Sequence, residues 1–297
     1  MRGGSGVLAP GPSESPSGAR PVLPELGLRL LSAAILGPTA LLCLWFGAVP
    51  WILLIGLGAV GLGAEWAVLA GQRPSSAAAL ALVGGLVLAT LEGAVEHQGL
   101  AFGLLGSGGA LAWWFARPSA HALRLAAGAF YIGLAMLALL WLRGDPGAAG
   151  SIGRANTLFL VLLVWASDSG AYVAGRAISG PKLAPAISPG KTWAGALGGL
   201  AATCLFGLAF AGFARTALPA ASASLPHAAV IAGGLGLVAQ AGDLLESAIK
   251  RRVGVKDSGW LIPGHGGLLD RLDALLAAAP VAALLSLWTG RGALLWS

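Results

Sequence analysis

The residues able to do chemistry are crowded into one stretch of this chain. All four lysines lie between positions 182 and 256, and five of the six aspartates (Asp168, Asp243, Asp257, Asp270 and Asp273) lie between 168 and 273. Several of them fall inside or at the ends of apolar runs. An ionisable group at membrane depth costs about 2.5–3.5 kcal/mol on insertion scales, so such residues are functional candidates by default. The competing explanation is a structural ion pair between helices, which accounts for a single residue far better than for the whole cluster. Asp243, Glu246, Ser247, Lys250 and Arg251 recur at i, i+3, i+4, i+7 and i+8, which is one helical face. A carboxylate deep on that face, a hydroxyl one turn on and two cations at the rim suit a metal at Asp243 and anionic oxygens at Lys250 and Arg251. Arg252 lies off this face and reads as a cation snorkelling to the interface.

The next segment carries Lys256 and Asp257, then the turn Pro263-Gly264-His265-Gly266-Gly267, then Asp270, Arg271 and Asp273. Glycines in such a turn let backbone N–H groups approach a ligand, as phosphate-cradling loops do. Asp270 and Asp273, three residues apart at the expected start of the last helix, project the same way. Paired carboxylates beside cations and a Gly-rich turn suit Mg²⁺ with a polyphosphate. His265 is open to three readings: ligand, acid/base or turn-stabilising residue.

Upstream, Asp168, Tyr172 and Arg176 are spaced by four and line one helical face. Ser188-Pro189 reads as a helix start, with Lys191 and Thr192 at the beginning of a span. Gly190-Lys191-Thr192 ends like a P-loop. Position 185 is Pro where that motif needs Gly, and no strand is expected before it, so the P-loop reading fails.

These residues need a scaffold, and composition says of what kind. The 297 residues are 57% hydrophobic and 10% charged, with a mean hydropathy of +0.81. Soluble domains carry about 25% charged residues, so a water-soluble enzyme is excluded. The fold class expected is an all-α polytopic membrane protein of about nine transmembrane helices, near 28–46, 49–70, 76–95, 99–116, 123–142, 156–176, 192–214, 227–250 and 272–290. Residues 1–27, rich in Gly, Pro and Ser, read as a disordered cytoplasmic tail. Residues 28–150 read as a transmembrane scaffold and 151–297 as the catalytic region. The first apolar run is longer than a signal-peptide core and stays as a span. Gly195 to Gly199 and Gly233 to Gly236 suit close helix contact in lipid. Trp45, Trp51, Trp113, Trp114, Trp141, Trp193 and Trp288 sit near span ends, as interfacial anchors do.

Net charge is +6, but only Lys250-Arg251-Arg252 forms a basic run, so nucleic acid is not an expected partner. Nine spans instead put fourteen of the eighteen Lys and Arg residues on the side of the amino terminus, and the positive-inside rule makes that side cytoplasmic. Cys43 and Cys204 lie in apolar runs and read as small core residues rather than a disulfide or zinc pair.

Ser247, Lys250-Arg251, Lys256-Asp257, Pro263 to Gly267, Asp270-Arg271 and Asp273, in this order and spacing, resemble the signature of the phosphatidate cytidylyltransferase (CDP-diacylglycerol synthase) family. Asp168-x-Gly170-Ala171-Tyr172 and Ser188-Pro189-x-Lys191-Thr192 match the same family in the same order. The motifs span 168–273; the rest of the chain resembles the family only as apolar spans. The resemblance implies transfer of the cytidylyl group of CTP to phosphatidate, with Mg²⁺ and room for a second cation, at the cytoplasmic face of a bacterial inner membrane, by a homodimer. By that resemblance Asp243 and Asp270 take the metal, with Asp273 supporting or also ligating. Lys191, Lys250, Arg251 and Arg271 hold phosphates, while Asp168 and Ser247 complete the polar lining. Lys256, Asp257 and His265 join the catalytic set, and Ser188, Thr192, Gly264, Gly266 and Gly267 bind the nucleotide. One departure is Ala194, where the family commonly has an acid. The rivals are a CTP-dependent polyprenol-type lipid kinase and a secondary transporter. The transporter predicts polar groups in two repeat halves, and the first 140 residues hold only Glu65, Glu92 and Glu96 as acids in or near spans. A CDP-alcohol phosphotransferase would need an Asp-Gly-x2-Ala-Arg pattern, which does not occur.

Overall fold

The computed structural model describes residues 22–144, 147–217, 224–259, 261–262, 266–290 and 293–297. Among the described residues the chain forms nine helices: α1 (Val22–Phe46), α2 (Ala48–Leu69), α3 (Ala77–Ala94), α4 (Gln98–Ala116), α5 (Ala122–Arg143), α6 (Gly147–Ile178), α7 (Trp193–Ala217), α8 (Leu225–Val253) and α9 (Leu269–Thr289). Eight of them are long and apolar enough to cross a membrane, and α1 adds a shorter apolar stretch, Leu31–Phe46. Helices are what the composition demands, because each satisfies its own backbone groups without water. Large apolar side chains such as Leu57, Leu205, Val230 and Trp288 project outward. The chain is thus a nearly all-α, multi-pass membrane protein.

Three expectations need correction. Residues 22–27, read as part of the tail, open α1 instead. Pro24 lies in the first turn, where the N–H it lacks would have no helical partner; the rest of the tail, 1–21, lies outside the described residues. Second, Ser188-Pro189 does not start a helix. β1 (Lys182–Ala184) and β2 (Ser188–Thr192) form an antiparallel hairpin, with Lys182 opposite Thr192 and Ala184 opposite Ser188. Pro189 fits an edge strand, and Gly190-Lys191-Thr192 lies within β2 rather than in a phosphate loop. The helix signal sits at Thr192, whose Oγ1 accepts the Gly195 N–H at 3.1 Å and caps α7. Third, Trp51 is buried rather than interfacial, its indole N–H donating to the Leu139 carbonyl 3.3 Å away on α5.

Small residues set the helix spacing. A Cβ on Gly198 of α7 would stand 2.1 Å from the Ala174 Cβ of α6, and one on Gly242 of α8 would stand 2.4 Å from the Ala277 Cβ of α9. Backbones therefore approach closely along the α6–α7–α8–α9 series, whose successive helices pack on one another. α9 also packs on α5, so the two regions expected at 28–150 and 151–297 interlock, and α6 runs across the boundary between them. α8 ends where Gly254 adopts φ +79° and the Val255 N–H returns to the Lys250 carbonyl at 3.0 Å, a left-handed glycine stop.

Candidate active site

Where α6, the hairpin and α8 meet they enclose an open cleft of about 380 Å³. Asp168, Tyr172 and Arg176 line its α6 wall, confirming the four-residue spacing, and an Arg176 Nη donates to the Tyr172 hydroxyl at 3.1 Å. Lys191 enters from β2 and pairs with Asp243 of α8, Nζ to Oδ2 2.5 Å. Gln240, one turn before Asp243, donates its amide N–H to the Ala196 carbonyl at 3.2 Å and braces α8 against α7. Asp168 interacts electrostatically with Asp243, Lys191 and Arg271. Residues more than 100 positions apart thus share one electrostatic neighbourhood.

A second cluster fills the seam between the antiparallel α8 and α9. Gly242 lets Asp273 approach, Glu246 lies against Asp273, and Lys250 stands 3.4 Å from Glu246. Lys250 also pairs closely with Asp270, whose Oδ2 accepts the N–H groups of Ser258 at 2.9 Å and Gly267 at 3.1 Å. Asp273 interacts with both Asp243 and Asp168, which joins the seam to the cleft.

The expected residues separate into groups. Asp168, Lys191, Asp243, Arg271 and Asp273 come together, with Lys250 and Asp270 beside them. Thr192 lines the cleft but commits its hydroxyl to α7. Ser188 and Ser247 are half-buried on β2 and α8. Arg251 ties the hairpin to the end of α8, its Nε donating to the Ile187 carbonyl at 3.3 Å. Lys256 and Asp257 are exposed on the loop after α8. Gly266 has φ +83°, which glycine tolerates best, and Gly267 commits its N–H to Asp270 rather than leaving it for a ligand. Gly264 and His265 lie outside the described residues. Ala194 is half-buried in the first turn of α7. Among the described residues, no three His, Cys, Asp or Glu side chains gather as a metal-ligand group.

Three contributors were given no role by the motif reading. Glu246, inside a motif, is fully buried next to Lys250. Tyr131 of α5 has a buried hydroxyl without a hydrogen-bond partner among the described residues, and it interacts electrostatically with Glu246, Asp273 and Asp243. Glu65 of α2 accepts the N–H groups of Leu268 and Leu269 at 2.9 and 2.8 Å. Its signal was an acid inside an apolar span.

Comparison with known proteins decides the family. The model of the cytidylyltransferase family matches residues 27–288. The chain belongs to the cytidylyltransferase family. It is 40% identical over 261 residues to a phosphatidate cytidylyltransferase of Brucella suis, covering 86% of this chain and 91% of that one. A phosphatidate cytidylyltransferase of Pseudomonas aeruginosa is 39% identical over 281 residues, covering 89% and 98%. One from Haemophilus influenzae is 46% identical over a shorter stretch of 123 residues, 41% of this chain and 42% of that one. As a member of this family the chain carries its match across both the motif-bearing half and the helices that brace it.

Proposed function

We propose that this chain transfers the cytidylyl group of CTP to phosphatidate, giving CDP-diacylglycerol and pyrophosphate. The observation that carries this reading is the similarity to relatives named phosphatidate cytidylyltransferase, over at least 86% of the chain for two of them. The cleft supports it by joining cations and carboxylates at one end of a lipid-facing bundle. A phosphate oxygen of the lipid attacks the α-phosphorus of CTP; that P–O bond forms as the bond to the pyrophosphate oxygen breaks in line. No covalent enzyme nucleophile is required, since positioning and charge neutralisation carry most phosphoryl-transfer catalysis. Lys191 reaches phosphate oxygens from β2, Lys250 and Arg251 do so from the end of α8, and Arg271 does so from α9. Asp168 and Ser247 complete the polar lining, and Lys256 and Asp257 flank it on the loop.

Mg²⁺ fits the donor set. Asp243 and Asp273 are neighbouring hard carboxylates, and Mg²⁺ is usually held by one or two carboxylates, with substrate phosphates and waters completing its shell. Asp270, paired with Lys250, is the third candidate ligand. When bound, the ion would neutralise charge on the phosphates. The enzyme sits in the bacterial inner membrane with its amino terminus and cleft facing the cytoplasm, a reading supported by fourteen of eighteen Lys and Arg residues falling on that side. A homodimer completes the proposal, on the family resemblance alone.

The test is purified protein with labelled CTP, phosphatidate and Mg²⁺. Label from the α-phosphate is expected in the lipid. Label from the γ-phosphate would instead establish a kinase, and no labelled lipid would remove both enzymes.

A further inference from the structure

Glu65 lies in the half of the chain that carries none of the motifs, yet it is buried, with only 4% of its surface exposed. A buried carboxylate is costly unless fully engaged, and this one is engaged entirely by the approach to α9. Its two oxygens accept the N–H groups of Leu268 and Leu269, and Oε2 lies 3.5 Å from the Ser258 hydroxyl. α9 needs this help, because its cap position is Leu268, which makes no side-chain cap hydrogen bond, and first-turn N–H groups otherwise lack partners. Negative charge at a helix amino terminus is favoured in addition. The backbone at 259 is laid directly on the same side chain: a Cβ there would meet Glu65 Oε1, Cδ and Cγ at 2.5, 2.6 and 2.8 Å.

We propose that Glu65 is a positioning residue for the transfer reaction, holding the loop before α9 so that Asp270 stands against Lys250. Asp270 grips the same loop from the other side, through the N–H groups of Ser258 and Gly267. Releasing Glu65 therefore displaces Asp270, while the Lys191–Asp243 pair is anchored elsewhere, on β2 and α8. The activity arm of the test rests on the transferase reading above; the exchange arm does not.

Four variants decide it: Glu65→Ala, the isosteric Glu65→Gln, Gly259→Ala, and Gly259→Ala combined with Glu65→Ala. Glu65→Gln keeps one acceptor but turns an amide donor toward a backbone N–H. Each single variant is expected to lower kcat about 10–100-fold, as loss of a supporting contact behind a metal or phosphate ligand does, with KM for CTP and phosphatidate unchanged. The double variant should be no slower than Glu65→Ala, because the atoms that an alanine at 259 would strike are gone. Amide exchange at Leu268 and Leu269 should quicken in Glu65→Ala. Glu92→Gln, which breaks only the surface pair with His97 at 2.9 Å, should keep the wild-type rate. Wild-type kcat in Glu65→Ala, a rise in KM with kcat retained, or a second full loss on adding Gly259→Ala would overturn the proposal. If the wild type transfers no label, the transferase reading fails, and unchanged exchange at Leu268 and Leu269 would then overturn the role of Glu65 by itself.

Discussion

Lys191 and Asp243 show how a few charges inside an apolar bundle become a site. Alone, either would be costly to bury in part; 2.5 Å apart, each lowers the cost of the other while keeping a cation and an anion in the cleft. On the proposed phosphate-binding role of Lys191, replacing it with Ala should cost about 10²–10³-fold in kcat, the scale for losing one donor to developing charge. Initial rates of α-label transfer check it. Asp243→Asn and Asp270→Asn should each abolish most Mg²⁺-dependent transfer; near-normal activity in folded protein would remove the metal assignment. At this scale the sequence was legible wherever partners share a helix. Asp168, Tyr172 and Arg176 follow from a period of 3.6, and so does the face from Asp243 to Lys250. What Glu65 and Tyr131 meet was not legible, because those neighbours lie far away in sequence and no local spacing encodes that meeting.

The elements that carry these residues are defined by their ends. Nine apolar runs predict the nine helices among the described residues closely, since hydrophobic length alone sets a span. Termini depend on caps, and those were harder to read. Ser188-Pro189 looked like a helix start because its residue types suit one, whereas hairpin pairing claims them for β2 and leaves the cap to Thr192. Thr192→Ala should destabilise the protein by about 1 kcal/mol, the usual value of such a cap, read as a lower thermal midpoint in detergent with the hairpin–α7 junction loosened. At the α8–α9 seam, Gly242→Val should cost about 1–3 kcal/mol through overpacking against Ala277, and it should slow transfer as well because Asp273 shares that contact.

Across the whole molecule, the motif-bearing half is braced by the helices before it. α9 packs between α8 and α5, and Glu65 and Tyr131 bring polar atoms from the first half to the seam. A chain cut near 150 should therefore lose the site even though every motif residue remains. Orientation is testable at the same scale. With Cys43 and Cys204 replaced by alanine, Lys256→Cys on the exposed loop should react with a membrane-impermeant maleimide in inverted vesicles and not in intact spheroplasts. The reverse pattern would overturn the cytoplasmic assignment.

The sequence by itself determined the fold class, the helical spans and the stretch in which the charged residues gather. Hydrocarbon admits helices and penalises charge, so apolar length and the scarcity of ionisable groups are written directly along the chain. Only the tertiary structure decided which charges meet: that Lys191 arrives on a strand, that Asp270 is held by Lys250 and the loop N–H groups, and that α9 begins where Glu65 caps it. Those meetings depend on how closely helices approach and in which rotation. That is settled by small side chains such as Gly242 and Gly259 acting against residues far away in sequence.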